Sequence, residues 1–260
     1  SVWPRQYLDL IGRAVDVAGV PVIASLNGST LGGWTDYARA MQDAGAVAIE
    51  LNIYYLPGDP PPTSPSPFSP GRDAEQRYID ILTAVKSAVS VPVAVKLTPY
   101  FSSFGDMALR LEQAGADGLV LFNRFMQTDI NPDTFTVSTG FKLSSPAEAT
   151  LPRSWIARLR SQVRASLAAS TGVETADDVA AYLLAGADVV MTTSALLRHG
   201  PGHVTALLDG LTTWMDRKGI GSVAEIRGLL APAADTPQPG FGRYGYLSAV
   251  EQASRAYSPR

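Results

Sequence analysis

The sequence Val91-Pro92-Val93-Ala94-Val95-Lys96-Leu97-Thr98-Pro99 decides the fold that we expect for this chain. Its apolar residues, several of them β-branched, are typical of a strand buried on both faces, as in a parallel sheet. Lys96 therefore lies where a buried strand ends, and it needs a partner because burying an unpaired charge is costly. Two interpretations are open. The ammonium group extends to solvent, or it contacts a ligand, because ligands of α/β folds bind at the carboxyl ends of strands.

Similar apolar runs recur along the chain and alternate with amphipathic helical patterns. They predict six strands, over about residues 21–26, 47–53, 92–97, 118–123, 166–170 and 188–193. Helices are predicted over residues 5–17, 34–44, 75–89, 104–114, 152–165, 175–185 and 204–218. Strict alternation implies parallel strands joined by right-handed crossovers. The predicted fold class is α/β, with a (β/α)8 TIM barrel as the best fit. Six βα units are visible and two more are expected before Ser1; an open sheet is the alternative.

The domain organisation follows from the same pattern. We expect a barrel domain over residues 1–230 and a tail over residues 231–260, rich in Pro, Gly, Ala and Ser, that is loosely ordered or packs on a partner. Two long loops, over residues 56–72 and 124–151, follow strands at the edge where a barrel keeps its active site. Loops of that length inside a compact domain are usually functional or disordered.

The composition excludes several kinds of site. The absence of cysteine excludes disulfides, thiolate metal sites and cysteine catalysis, and two histidines in 260 residues disfavour a histidine metal site. A net charge of −3 gives no electrostatic reason to expect nucleic acid or a membrane surface as a partner. No apolar run approaches the roughly 18 residues of a membrane-spanning helix. We therefore expect a cytoplasmic protein that binds a small molecule and no metal.

Polar residues stand at the carboxyl ends of the predicted strands. Asn27, Asn52 and Asn123 end three of them and Lys96 ends a fourth. An asparagine at a strand end is commonly a turn former, but several that converge on one barrel mouth with a lysine describe a ligand pocket. Amide donors and acceptors around one positive charge suit a planar, hydrogen-bonding heterocycle better than a metal.

The last two strand ends predict a phosphate site. Ser170-Thr171-Gly172-Val173 and Thr193-Ser194-Ala195 each lead into a helix. Loops after the last strands of a barrel, with N–H groups from helix N-termini, commonly bind phosphate. The alternative is that these small polar residues only cap helices. A phosphate and a heterocycle in one barrel indicate a nucleotide-like cofactor, and FMN fits.

An ordered set of motifs between about residues 20 and 230 resembles the dihydroorotate dehydrogenase family, most closely its soluble FMN-containing branch and dihydroorotate dehydrogenase-like relatives. The motifs are Glu50-Leu51-Asn52, Val95-Lys96-Leu97-Thr98-Pro99-Tyr100-Phe101, Thr171-Gly172-Val173-Glu174-Thr175-Ala176-Asp177-Asp178, Leu184-Ala185-Gly186-Ala187, Ser194-Ala195-Leu196, and Trp214-Met215-Asp216-Arg217-Lys218-Gly219 followed by Ser222-Val223.

The resemblance implies FMN as cofactor and a role for each matching residue. Lys96 would lie against the pyrimidine edge of the flavin and stabilise its anionic reduced form. Asn52 and Asn123 would hydrogen-bond the flavin or the substrate ring. The FMN phosphate would be bound by Thr171, Gly172, Thr193 and Ser194. Ser144 and Ser145 fall near a diglycine segment that the family uses beside the flavin, and the glycines are absent here.

The chain departs from the family pattern after Asn52. There the family has a cysteine or serine base and then Pro-Asn, whereas this chain places Tyr55 at the base position and Pro57 at the substrate asparagine. A tyrosine, with a reference pKa of about 10, is a poor base at neutral pH unless its environment lowers that pKa. The candidate bases are Tyr55 and a serine of the following loop such as Ser64.

Three functional hypotheses follow. The leading one is an FMN oxidoreductase that oxidises dihydroorotate, or a related dihydropyrimidine, to orotate in de novo pyrimidine (UMP) biosynthesis, as a homodimer. The second is a flavin-free barrel aldolase or lyase with Lys96 as Schiff base, a chemistry that suits a desolvated lysine on a strand. The third is a catalytically impaired homologue that binds FMN, or no cofactor, and acts as an interaction protein.

Overall fold

The computed structural model of the protein describes residues 2–28, 31–55, 68–124, 128–140, 142–233 and 243–257. The strands in these residues are β1 (Ile23–Leu26), β2 (Ala48–Asn52), β3 (Val93–Leu97), β4 (Gly118–Leu121), β5 (Thr128–Asn131), β6 (Thr136–Thr139), β7 (Ser166–Ala169) and β8 (Val189–Val190). Six of them form one parallel sheet in the order β1-β2-β3-β4-β7-β8. The six predicted strands are confirmed. Strands β5 and β6 form an antiparallel ribbon inside the region predicted as a long loop.

Helices alternate with the strands of the parallel sheet. They are α1 (Val2–Ala18), α2 (Leu31–Asp43), α3 (Gly71–Ala88), α4 (Phe104–Gln113), α5 (Thr150–Leu159), α6 (Ala176–Ala185), α7 (Ser194–His199), α8 (His203–Lys218), α9 (Val223–Ile226) and α10 (Arg243–Tyr257), with a 3-10 helix over Pro146–Ala149. The curled sheet and its alternating helices form a half-barrel, as expected for part of a (β/α)8 TIM barrel. Among the described helices, none is long and apolar enough to cross a bilayer.

The core lies between the helices and one face of the sheet. Ile49 and Leu51 in β2 and Val95 in β3 are fully buried there. The opposite face, which we call the inner face, is open at β1, where Ile23 is 57% exposed and alternates with buried Ala24. Because register partners in a parallel sheet face the same way, the inner face can be read along the strands. It carries Ser25, Glu50, Ala94, Gly118 and Ser166 in one row and Asn52 and Lys96 in the next.

One predicted helix is shorter in the structure. The pattern over residues 152–165 predicted a helix to Ala165, but α5 ends at Leu159. The carboxylate of Glu112 accepts hydrogen bonds from the backbone N–H groups of Arg164 and Ala165 at 2.5 and 2.7 Å, so these residues leave the helix and lead into β7.

The predicted tail contains a helix in the residues that the structure describes. Helix α10 lies within residues 231–260, and its residues 246–256 are exposed to solvent. The division of the chain at residue 230 stays a prediction.

Candidate functional site

Three predicted site residues meet at the carboxyl ends of neighbouring strands. Asn52, at the end of β2, is the register partner of Lys96 in β3, so both side chains lie on the inner face. The side-chain amide of Asn123, just after β4, donates a hydrogen bond of 2.5 Å to Oδ1 of Asn52. The backbone N–H of Asn123 donates to the carbonyl of Leu97 at 2.7 Å, which holds Asn123 against β3. We call Asn52, Lys96 and Asn123 the strand cluster.

The strand cluster has a carboxylate neighbour that sequence reasoning missed. Oε1 of Glu50 lies 3.9 Å from Nζ of Lys96, with 8% of the Glu50 side chain and 19% of the Lys96 side chain exposed. The hydroxyl of Ser25 in β1 donates a hydrogen bond of 2.7 Å to the same oxygen. The signal was present in the sequence, because residues two apart in a strand face the same side and Glu50 is two residues from Asn52.

A second group of predicted residues converges from three loops farther along the same sheet edge. The backbone N–H and the hydroxyl of Ser144 each lie 3.0 Å from Oγ of Ser194. The backbone N–H of Gly172 donates to the hydroxyl of Ser144 at 3.3 Å. We call Ser144, Gly172 and Ser194 the loop cluster. Thr193 is exposed at the N-cap position of α7 beside it, and hydroxyls with backbone N–H groups are the donors that an anion requires.

Thr171 and Gly172 both have positive φ angles, of 86° and 74°. A threonine rarely adopts this conformation, and such strain is typical of functional sites. Two hydrogen bonds hold it: the hydroxyl of Thr171 donates to the carbonyl of Phe122 at 3.2 Å, and the hydroxyl of Tyr182 donates to the carbonyl of Thr171 at 2.7 Å. Burial raises the pKa of Tyr182 above its ordinary value, so this hydroxyl remains a donor.

The backbone at Gly172 leaves no room for a side chain. A Cβ atom there would lie 2.8 Å from the Cβ of Ala149 and 2.9 Å from the carbonyl oxygen of Ser145. The strand-to-helix loop after β7 therefore packs directly against the 3-10 helix. Glycine at this position is required by that close approach as well as by its φ angle.

An arginine that sequence reasoning did not single out links the loops of this region. The guanidinium of Arg198 in α7 donates to the carboxylate of Glu174 and to the backbone carbonyl of Ser144. Glu174 also pairs with Nε2 of His199 at 2.5 Å, and Nε2 of His203 lies 2.8 Å from the Glu174 carbonyl. The hydrogen bond with His199, helped by the charge of Arg198, lowers the pKa of Glu174 below its ordinary value.

Tyr55, the predicted base, lies toward the start of α3. Its hydroxyl is 2.6 Å from the hydroxyl of Ser69, and the guanidinium of Arg77 lies over its ring at 5.0 Å from the centroid. Neither contact joins Tyr55 to the strand cluster. Ser64 and Pro57 lie outside the described residues.

A pocket of about 880 Å³ opens beside Asn123 of the strand cluster and beside Thr171, the residue before Gly172 of the loop cluster. The β5–β6 ribbon, the 3-10 helix, the start of α5 and the loop after β3 form its walls, which include Asn123 and Thr171. Nε of Arg124 in this wall donates to the carboxylate of Glu148 at 2.9 Å. Burial raises the pKa of Glu148, but hydrogen bonds from Ser145 and Arg124 outweigh burial and hold that pKa below its ordinary value.

Comparison with known proteins finds a family whose model matches most of this chain. The model of the family described as dihydroorotate dehydrogenase matches residues 6–215. This range contains every residue of the strand cluster and of the loop cluster.

Individual relatives cover most of the chain. A putative dihydroorotate dehydrogenase A (fumarate) of Aeropyrum pernix is 28% identical over 86% of this chain and 72% of its own length. The catalytic subunit of dihydroorotate dehydrogenase B (NAD(+)) of Halalkalibacterium halodurans is 32% identical over 84% of this chain and 70% of its own length. The corresponding subunit of Methanothermobacter thermautotrophicus is 30% identical over 86% and 72%.

Proposed function

This chain belongs to the dihydroorotate dehydrogenase family, and on that premise we propose that it is an FMN-dependent oxidoreductase of de novo pyrimidine biosynthesis. The family consists of flavoprotein oxidoreductases that act on CH–CH donors. The proposed substrate is dihydroorotate, or a related dihydropyrimidine, and the product is orotate or its counterpart. That the chain acts as a homodimer stays a prediction.

The observation that carries this proposal is the pairing of two unlike clusters on one sheet edge. The strand cluster offers one cation and two amides, which suit the edge of a heterocycle. The loop cluster offers hydroxyls and backbone N–H groups, which suit a phosphate. Strands β3 and β8 are three strand spacings apart, which is at most about 14 Å. A ligand with a heterocycle at one end and a phosphate at the other fits this span.

In the proposed site each cluster has a distinct task. Lys96 would hold its ammonium beside the pyrimidine edge of the flavin, with Asn52 and Asn123 hydrogen-bonded to the flavin or substrate ring. When bound, the flavin would accept at N5 the hydride that leaves C6 of the dihydropyrimidine. Thr171, Gly172, Thr193 and Ser194 would hold the phosphate, with Ser144 beside them.

The C5 proton of the substrate must leave as the C5=C6 double bond forms, and a base must accept it. We propose a base from the loop after β2, with Tyr55 and Ser64 as candidates. The contacts of Tyr55 with Ser69 and Arg77 direct its side chain toward α3. If Tyr55 is the base, its side chain must turn toward the strand cluster when substrate binds.

A second candidate function is favoured by one contact. Glu50 lies 3.9 Å from Lys96, so a carboxylate is available to move protons beside a lysine that could form a Schiff base. A flavin-free aldolase or lyase is therefore the alternative.

An absorption spectrum of the purified chain, followed by anaerobic addition of dihydroorotate, tests the proposal. We expect flavin absorbance that dihydroorotate bleaches. Flavin absorbance that dihydroorotate leaves unchanged would contradict the substrate and favour an impaired homologue or another dihydropyrimidine. No flavin absorbance, together with borohydride trapping of a carbonyl compound on Lys96, would favour the lyase.

A further inference from the structure

Lys96 lies where a ligand would bind at the strand ends, and the carboxylate of Glu50 lies next to it. The 3.9 Å between Nζ of Lys96 and Oε1 of Glu50 is longer than a hydrogen bond, so their interaction is electrostatic. Within the residues that the structure describes, the ammonium of Lys96 donates no hydrogen bond, which leaves its N–H groups for a ligand at the strand ends.

The carboxylate of Glu50 is itself held in place from two neighbouring elements. The hydroxyl of Ser25 donates to Oε1 of Glu50 at 2.7 Å. The backbone of Ser25 is held in turn by the hydroxyl of Tyr7 in α1, which donates to the Ser25 carbonyl at 2.9 Å and accepts from the Ser25 N–H at 3.2 Å. The chain of contacts from α1 through β1 therefore fixes where the negative charge stands relative to Lys96.

We propose that Glu50 is a positioning residue that sets how strongly the charge of Lys96 acts on the flavin. This inference rests on the proposed FMN site. Reduced flavin carries more negative charge than oxidised flavin, so the ammonium of Lys96 favours the reduced form. A fixed carboxylate beside that ammonium opposes part of its field and brings the reduction potential of the bound flavin down.

The decisive variant is Glu50→Gln, which keeps the size of the side chain and removes its charge. At a fixed solution potential, we expect the ratio of reduced to oxidised bound flavin in this variant to rise on the order of tenfold. For a two-electron couple this corresponds to a potential about 30 mV more positive. Lys96→Met should shift the potential in the opposite direction.

The matched control is Glu75→Gln. Glu75 is also a largely buried carboxylate with a cationic partner, since Nη1 of Arg110 lies 2.8 Å from Oε2 of Glu75, but the pair joins α3 to α4 on the outer layer. Its loss should leave the flavin potential unchanged. An unchanged potential in Glu50→Gln with FMN bound would overturn the proposal.

Ser25→Ala covers the case in which Glu50→Gln does not fold, because Ser25 is exposed and loses only a hydroxyl. Without Ser25, the dipole of its hydroxyl no longer offsets part of the field of the Glu50 carboxylate, and the carboxylate can approach Lys96. The potential should therefore fall. A potential equal to that of the wild type would count against the proposal.

A measurement without FMN separates this inference from the proposed function. The acetylation rate of Lys96, followed by mass spectrometry on the ligand-free chain, should rise several-fold in Glu50→Gln, because acetylation removes the positive charge that the carboxylate of Glu50 stabilises by attraction. Equal rates would overturn the role of Glu50. If the wild-type chain takes up no FMN, the proposed function fails, and the acetylation rates still decide whether Glu50 controls Lys96.

Discussion

The strand cluster and the loop cluster lie on one sheet edge but are built in different ways. Asn52 and Lys96 are strand residues in register, and Asn123 is tied to both strands by short hydrogen bonds. The loop cluster takes its members from three separate loops, whose positions depend on a link through Arg198 and on a glycine packed against a 3-10 helix. Sites on strands hold their geometry more closely than sites on loops.

This difference separates the two halves of the proposed chemistry. A charge that acts on the reacting end of a cofactor must stand at a fixed distance, because its effect falls with distance. A phosphate is bound by many weak donors, so a loop site can adapt around it. We therefore expect changes in the strand cluster to affect turnover, and changes in the loop cluster to affect local stability and cofactor retention.

The largest effect is expected from Lys96→Met. Removing a charge-stabilising donor from an active site typically lowers kcat by about 10²–10³-fold. The proper control is Lys86→Met, because Lys86 also pairs with a carboxylate, that of Asp117 at 2.7 Å, but away from the strand cluster. The steady-state turnover of dihydroorotate should be measured for both variants. Equal losses in the two variants would show that the lysine in β3 has no special role.

The second-largest effect is expected from a substitution in the loop cluster that lowers the stability of the fold. Gly172→Ala forces a Cβ to within 2.8 Å of the Cβ of Ala149 at a φ of 74°. Overpacking and positive φ together should lower the free energy of unfolding by about 2–4 kcal/mol. Gly219 has a left-handed φ of 68° with nothing within 4 Å of where its Cβ would stand, so Gly219→Ala isolates the backbone cost, about 1–2 kcal/mol. Urea unfolding of the two variants should differ, and equal losses would mean that packing at Gly172 is unimportant.

The sequence predicts the two clusters unequally well. Lys96, Asn52 and Asn123 were predictable because each ends an apolar run, and parallel strands bring their ends to one edge. Glu50 follows the same alternation as Asn52. Its partner Lys96 could not be identified from the sequence, because that requires the register of β2 against β3.

The contacts around the loop cluster were less accessible to sequence reasoning. Arg198 reaches Ser144 and Glu174, which are 54 and 24 positions away along the chain. No local pattern encodes a contact over such separations. The direction of Tyr55 belongs to the same class, because its ring is oriented by Ser69 and Arg77 across a loop that the strand pattern does not constrain.

The smallest effect is expected from pH and should be confined to the loop side of the comparison. The folded-state pKa of Glu174 is held below its ordinary value by His199 and, more weakly, by Arg198. Its contribution to stability should therefore be complete well above the unfolded-state pKa of about 4.3 and should be lost as pH falls through the folded-state pKa.

The variant Glu174→Gln tests this expectation. It should be less stable than the wild type at pH 6–7, and the difference in the free energy of unfolding should shrink as the pH is lowered below about 4.3. Urea unfolding across this range measures the difference.

Hydrogen exchange at the backbone N–H groups of Ser144 and Gly172 should report the same loss locally, because Arg198 is left without its carboxylate and its hold on the loop weakens. A difference that stays constant with pH would mean that Glu174 acts through its shape and not through its charge. The contrast between a charge-held loop cluster and a register-held strand cluster would then fail.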